Sequence, residues 1–297
     1  MKIKKNKKIF FVDNPDAPGF KDFWVLLDNG LWELGIFQVF DEFLDKEHSY
    51  IDIGAWVGPT VLYGCQLAKH CYAIEPDPVA FKILQENIDL NQNLASNITL
   101  YKGCIADRSG MSKLGSNTQF GNALSSLLTN KSSIFLDVQS LTFEDFIKKN
   151  NINDCNFIKM DIEGGEIRVL PTMRKYLQEK MPTLFLSLHP FWFEDKEKDC
   201  KAIINVLSIY PSIYREDGKK IGLDELFTIL MSLQGENYSV IATLNWDYNK
   251  RLFHFYRYKI RKFSNRGKYY LFHPFKLLRA VISKFSEVIK KQTILKK

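Results

Sequence analysis

The residues able to do chemistry fall into two groups. In the first, Asp161 and Glu163 stand two apart after the apolar run 156–160. Residues i and i+2 share a face while the chain stays extended, so both carboxylates can point into one cleft. A carboxylate there can orient or deprotonate a hydroxyl, or hold a divalent metal that lowers the hydroxyl's pKa. His189 closes the next apolar run, 183–188, and Pro190, Phe191 and Trp192 follow it. An imidazole near its ordinary pKa suits a general base for a sugar or alcohol hydroxyl. The plainer alternatives are that Glu163 and Glu166 favour a helix N-terminus, and that His189 is a hydrogen-bonded residue at a sheet edge.

In the second group, Asp52 ends the apolar run 49–53, and Gly54 and Gly58 follow at a spacing of four. Glycine lets the backbone turn sharply and lets a ligand approach bare amides. Glu75 ends a second apolar run seventeen residues after Gly58, and Pro76 follows it. A carboxylate at that distance can take both hydroxyls of a ribose. A dinucleotide would want G-x-G-x-x-G for its pyrophosphate. Here only Gly54 and Gly58 are present, and Trp56 between them would crowd a diphosphate. S-adenosylmethionine has no phosphate; it needs an acid at the strand end, a glycine turn and a second acid for the ribose. Asp52, Gly54, Ala55, Trp56, Gly58, Glu75 and Pro76 are the expected cofactor residues. For Asp161 and Glu163 a metal-ligand role stays open beside the catalytic one.

The elements that must hold these groups follow from periodicity. Strands are expected at 49–53, 71–75, 98–105, 156–160, 183–188 and 239–244. Helices are expected between them, at 58–69, 78–91, 142–149, 166–179, 196–209 and 224–233. Asp77-Pro78 reads as a helix start with Pro in the first turn. The polar stretch 106–133 is long for a connection and reads as a binding loop, with a short strand at 135–138 after it. Strand–helix alternation over this length argues a parallel α/β sheet. At the N-terminus 23–27 reads as a short strand. The helical stretch 31–44 either caps the sheet edge or closes over the cofactor with Glu33 at its start. The division expected is a lead-in with capping helix over 1–48, a catalytic domain over 49–245 and a tail over 246–297.

The net charge of +7 hides an asymmetry. Residues 250–297 hold fifteen basic residues and one acid, Glu287, net +14; the remainder, with 26 basic and 33 acidic residues, is −7. Within the tail, 275–295 carries an apolar stripe with Lys and Arg on the other face, a basic amphipathic helix. An anionic membrane surface accounts for both faces; packing on the body or on a partner comes next, and nucleic acid, which needs no apolar stripe, last. No apolar run is long enough to span a bilayer, and the basic start lacks the apolar core of a signal peptide. Five scattered cysteines without a C-x-x-C pair read as reduced core thiols. A cytoplasmic chain, peripheral at the inner membrane face, is the expectation.

The motifs Asp52-Ile53-Gly54-Ala55-x-x-Gly58, Ala73-x-Glu75-Pro76 and Lys159-Met160-Asp161-Ile162-Glu163-Gly164-Gly165-Glu166 resemble those of the FkbM-type methyltransferases. Asp137 to Leu141 followed by an acidic helix also fits, and the resemblance covers about 30–245. It implies a class I, Rossmann-like fold with a mostly parallel seven-stranded sheet and helices on both faces; the basic helical tail lies outside it. It also implies S-adenosylmethionine as methyl donor and a carbohydrate or small-molecule alcohol as acceptor. The family usually carries Asn where this chain has Trp56, and Asn tolerates unusual backbone angles better. Trp56 is therefore expected to stack on the ligand or reshape the loop. His189-Pro190-Phe191-Trp192 lacks the side-chain amide or carboxylate with which base-amino methyltransferases hold an exocyclic amine, which argues against DNA base methylation. An RNA acceptor bound through the tail, or a binding module that keeps the pocket as scaffold, are the alternatives.

Overall fold

The computed structural model describes residues 1–13, 20–30, 32, 34–244 and 246. The expected tail helix and Glu33 lie outside these residues.

Met1–Asp13 and Gly35–Trp246 form one compact unit. It opens with a hairpin, β1 (Lys2–Lys5) and β2 (Lys8–Phe11). A second unit contains α1 (Phe20–Asp28). A strand was expected at 23–27, but the apolar spacing is helical: Phe23, Trp24 and Leu27 are buried while Val25 between them is exposed. The helix α2 (Leu34–Phe43) then leads to β3 (Ser49–Ile53), α3 (Pro59–Gly64), β4 (His70–Glu75), α4 (Pro78–Asp89) and a single turn α5 (Gln92–Ala95). The expected strand 98–105 is two strands, β5 (Ile98–Lys102) and β6 (Cys104–Ile105), because the chain changes sheets at Gly103. A Cβ on Gly103 would lie 2.6 Å from the Gln139 carbonyl oxygen.

The polar stretch expected to be a loop is partly a strand. There β7 (Gly110–Ser116) pairs antiparallel along its whole length with β8 (Ile134–Leu141), and β6 joins them in a three-stranded sheet. Composition hid β7 because its partner supplies the ladder and only Leu114 of its apolar side chains is buried. The chain continues through α6 (Phe143–Lys149), β9 (Cys155–Met160), α7 (Glu166–Lys180), β10 (Thr183–Leu188), α8 (Lys196–Leu207), β11 (Ser212–Arg215), β12 (Lys220–Ile221), α9 (Leu223–Ser232) and β13 (Tyr238–Thr243).

The main sheet runs β12-β11-β13-β10-β9-β3-β4-β5. From β10 to β5 every pairing is parallel. The last strand, β13, enters antiparallel between β10 and β11, as expected for 239–244. To the seven strands expected it adds β12, a two-residue arm folded back on Ile213 and Tyr214 through the turn at Gly218.

Both faces are covered. Ile51, Ile53, Ile158 and Met160 join the core built with α6, α7, α8 and α9. The alternate residues Tyr50 and Phe157 meet Phe40 of α2 edge-on, with centroids 5.5 and 5.3 Å apart. The strand order reverses between β3 and β9, and ligands of open α/β sheets bind outside the carboxyl ends at such a switch point.

Candidate active site

At the switch point the carboxyl ends of β3 and β9 are nearly in contact. The Asp161 amide donates to the Ile53 carbonyl at 3.0 Å. Gly54 turns away with φ +86°, and a Cβ there would lie 1.9 Å from the Asp161 carbonyl oxygen. Only glycine serves, both for that angle and for that distance.

Beneath the turn, Asp52 lies opposite Lys159 in register. The Lys159 ammonium donates to Asp52 Oδ1 at 2.9 Å and to the Gly54 carbonyl at 2.8 Å. Burial pushes the Asp52 carboxyl up, against the Lys159 charge and the Thr60 hydroxyl that pull it down. Asp52 is fully buried and is not among the cleft-lining residues. It acts on the glycine turn through Lys159. The signal for Lys159 in the sequence is a lysine within the largely apolar run 155–160.

The cleft above the turn is lined by Gly54, Trp56, Glu75, Pro76, Asp161 and Glu163, with apolar Ile105 and Leu127 among the walls. These six expected site residues are therefore together. Ala55 is buried, and Gly58 is the residue before α3, with φ +91°; neither lines the cleft. Glu75 Oε2 accepts from the Trp56 amide at 2.7 Å, and Oε1 from the Asp77 amide at 2.8 Å. Burial raises its pKa to about 7 despite those two donors.

Trp56 holds φ +48°, a left-handed conformation uncommon for a bulky residue. Its indole N–H donates to the Gly121 carbonyl at 3.0 Å. Asp77 caps α4 through Oδ1, taking the Val79 and Ala80 amides. Its Oδ2 accepts from the Gly121 amide and the Ser125 hydroxyl, each at 2.7 Å. The Ser126 hydroxyl donates to the Glu163 carbonyl at 2.6 Å. The segment between β7 and β8 thus bridges the two halves of the cleft. Asp77 is legible in the sequence as a helix start beside Glu75-Pro76, but its Oδ2 partners lie more than forty residues away.

The second half is a cluster of side chains. Imidazole Nε2 of His189 lies 3.4 Å from both Asp161 Oδ1 and Glu163 Oε1. Its Nδ1 lies 3.0 Å from Glu166 Oε1, which also accepts the Ile162 amide at 3.1 Å. The tight turn at 162–165 folds the two motif carboxylates onto the histidine, with φ +50° at Glu163 and +93° at Gly164. A Cβ on Gly164 would meet Trp192 Cβ at 2.5 Å, and the Trp192 indole donates to Glu163 Oε2 at 3.3 Å.

The electrostatics depart from the expectation of a near-neutral base. Burial alone would lower His189, but Glu163, Glu166 and Asp161 raise it to about 10. Burial lifts Glu163 to about 7, against the pull of His189. The neighbouring carboxylates thus favour the protonated imidazole, and burial favours the neutral form of Glu163.

The Methyltransferase FkbM domain profile matches residues 52–221. The chain belongs to that family. That family is one of methyltransferases, and the cleft has features that would suit S-adenosylmethionine: a glycine turn that admits no side chain, a buried carboxylate beside it and apolar walls. Comparison with curated protein sequences gives no match. Among solved structures, the methyltransferase FkbM from Methylobacillus flagellatus KT is 17% identical with a TM-score of 0.43, covering 77% of this chain and 55% of its own. This chain therefore spans just over half the length of that protein. SMU.1697c of Streptococcus mutans, solved in complex with SAH, is 14% identical at TM-score 0.39, with 70% of this chain and 96% of that one covered. The N-terminal domain of human METTL16, also with SAH, is 14% identical at TM-score 0.39, with coverages of 82% and 76%. Among the described residues, no helix is long and apolar enough to cross a membrane. The five cysteines are buried and unpaired.

Proposed function

We propose that this chain transfers a methyl group from S-adenosylmethionine to a hydroxyl oxygen. The single observation that carries the reading is the cluster of Asp161, Glu163 and His189 beside the cleft that Gly54 and Glu75 also line. Gly54, Trp56, Glu75 and Pro76 hold the cofactor, with Glu75 taking the ribose hydroxyls. When bound, the cofactor supplies an electrophilic methyl on sulfur. Asp161, the most exposed of the cluster at 24%, orients the acceptor hydroxyl. Glu163, held near neutrality, takes its proton. The charged His189 keeps both carboxylates in place.

The acceptor we favour is a sugar in a surface or lipid-linked glycan. The support is the net charge of +14 over 250–297 together with the apolar stripe in that sequence, which suit docking at an anionic membrane face. Mass spectrometry of surface glycans from cells with and without the protein is the test. Loss of one O-methyl group with the protein is expected; an unchanged set overturns the glycan reading. The same tail supports a second reading, an RNA acceptor gripped through phosphate and base stacking. RNA affinity that falls with salt and vanishes on truncation after Asn245 would favour that reading instead.

A further inference from the structure

The charge around His189 is unbalanced. Three carboxylates, Asp161, Glu163 and Glu166, face one imidazole. The Glu166 and His189 side chains are 0% and 3% exposed, and Glu163 is 12% exposed. Among the described residues, no Lys or Arg forms an ion pair with any of the three carboxylates. Buried charge without compensation is costly. In addition, Glu166 Oε2 is buried with no hydrogen-bond partner among the described residues.

The geometry has a direction as well as a charge. Glu166 engages Nδ1 of His189 at hydrogen-bond distance. Nε2, at 3.4 Å from an oxygen of Asp161 and of Glu163, lies beyond an ordinary hydrogen bond to either. One ligand atom each from Asp161, Glu163 and His189 falls within a 4.8 Å span. An imidazole whose far nitrogen is held by a carboxylate is the usual arrangement of a metal-ligating histidine. Two carboxylate oxygens and one imidazole nitrogen suit a hard or borderline divalent ion.

We propose that Asp161, Glu163 and His189 form a three-ligand site for a divalent cation, with Glu166 as the outer carboxylate that fixes the imidazole. The ion replaces the proton on Nε2, which leaves to solvent, and brings two positive charges to the acidic cluster. With the ion bound, Glu163 and His189 are ligands instead of base and cation; positions the protein does not fill are free for water or an acceptor hydroxyl, whose proton the ion makes easier for solvent to remove. That last role rests on the methyl-transfer reading; binding of the ion does not.

The test is Mn2+ binding to the full chain, followed by titration and electron paramagnetic resonance without cofactor or acceptor. One Mn2+ per chain is expected, displaced by Mg2+, with nitrogen hyperfine coupling that disappears in His189→Gln. Glu163→Gln should weaken binding at least tenfold. Glu166→Gln, which leaves every ligand atom in place, should weaken it about 10- to 100-fold. S-adenosylhomocysteine affinity, measured on each variant, reports whether the fold survives. If Glu163→Gln loses that affinity, Glu166→Gln decides. Mn2+ that fails to bind while S-adenosylhomocysteine binds normally overturns the metal site and leaves methyl transfer standing. Mn2+ bound with equal affinity by wild type and Glu166→Gln also overturns it. Tight, His189-dependent Mn2+ with no methylation of any hydroxyl upholds the site and counts against the acceptor reading.

Discussion

The two halves of the cleft solve the same problem differently. Glu75 and Asp77 on the β4 side are buried carboxylates whose oxygens are met mostly by backbone amides. Those donors are fixed by the turn after β3, by the start of α4 and, for Gly121, by the segment between β7 and β8. Asp161, Glu163 and Glu166 on the β9 side are balanced by one another's neighbour, His189, and by little else. Under the proposed function, the first half would receive a neutral ligand group and the second would act on a reacting one.

The sharpest way to break this contrast is at Asp161. Asp161→Asn keeps the volume and removes the charge that faces the acceptor. Methyl transfer should fall by about 10²–10⁴-fold, the range for losing a positioned acid–base group. S-adenosylhomocysteine affinity should change little, because the cofactor half is balanced by its own backbone. Isothermal titration beside turnover separates the two. Equal losses in both would mean the halves are one site electrostatically.

The converse break is Glu75→Ala. Hydrogen bonds to a charged group contribute about 1.5–3 kcal/mol, so cofactor affinity should drop roughly 10- to 100-fold. The Trp56 and Asp77 amides also lose their acceptor, so the loop should loosen, visible as faster hydrogen exchange over 54–58. Turnover at saturating cofactor should stay near wild type, since the β9 cluster does not contact Glu75.

A gentler probe of the same carboxylate is pH. Burial holds folded Glu75 at about 7, above its ordinary 4.5. An acid raised on folding gives stability that is present below its unfolded pKa and lost as pH rises through the folded one. The ligand-free protein should therefore lose melting temperature between about pH 4.5 and 7 on account of this group. Ribose hydroxyls donate to the ionised form, so cofactor affinity should rise over the same interval, by up to about tenfold per unit. Glu75→Gln should flatten the affinity curve and lessen the slope of the melting curve, to which Glu163, also raised to about 7, contributes as well. A pH-independent affinity in the wild type would mean that Glu75 is already ionised or does not meet the ribose.

How legible each half was in the sequence follows from the same contrast. Strand–helix alternation and the two glycines located the switch point because they are local signals. Asp161, Glu163 and His189 were legible because each ends or follows an apolar run. The roles of Lys159 and Asp77 were not, since they depend on partners brought in by the sheet order or by loop closure, while the 117–133 segment was legible as a loop but not in its contacts. Likewise α1 was misread because 23–27 is short enough to satisfy either period, and β7 because its sequence lacks apolar alternation. The charge state of His189 was not legible, because the carboxylates that raise its pKa lie 23 to 28 positions away in sequence.

Trp56 offers the smallest and most discriminating change. Its left-handed backbone costs a bulky residue on the order of 1 kcal/mol, which Asn would largely relieve. Trp56→Asn also removes the indole bond to Gly121, again worth about 1 kcal/mol. The two terms nearly cancel, so melting temperature should shift by no more than a few degrees. The amide that serves Glu75 belongs to the backbone and survives the substitution. Cofactor affinity then isolates the side chain. A few-fold loss is expected if the indole mainly ties the 117–133 segment to the turn. A loss matching that of Glu75→Ala would make Trp56 a ligand in its own right, and would shift part of the cofactor half from backbone to side chain.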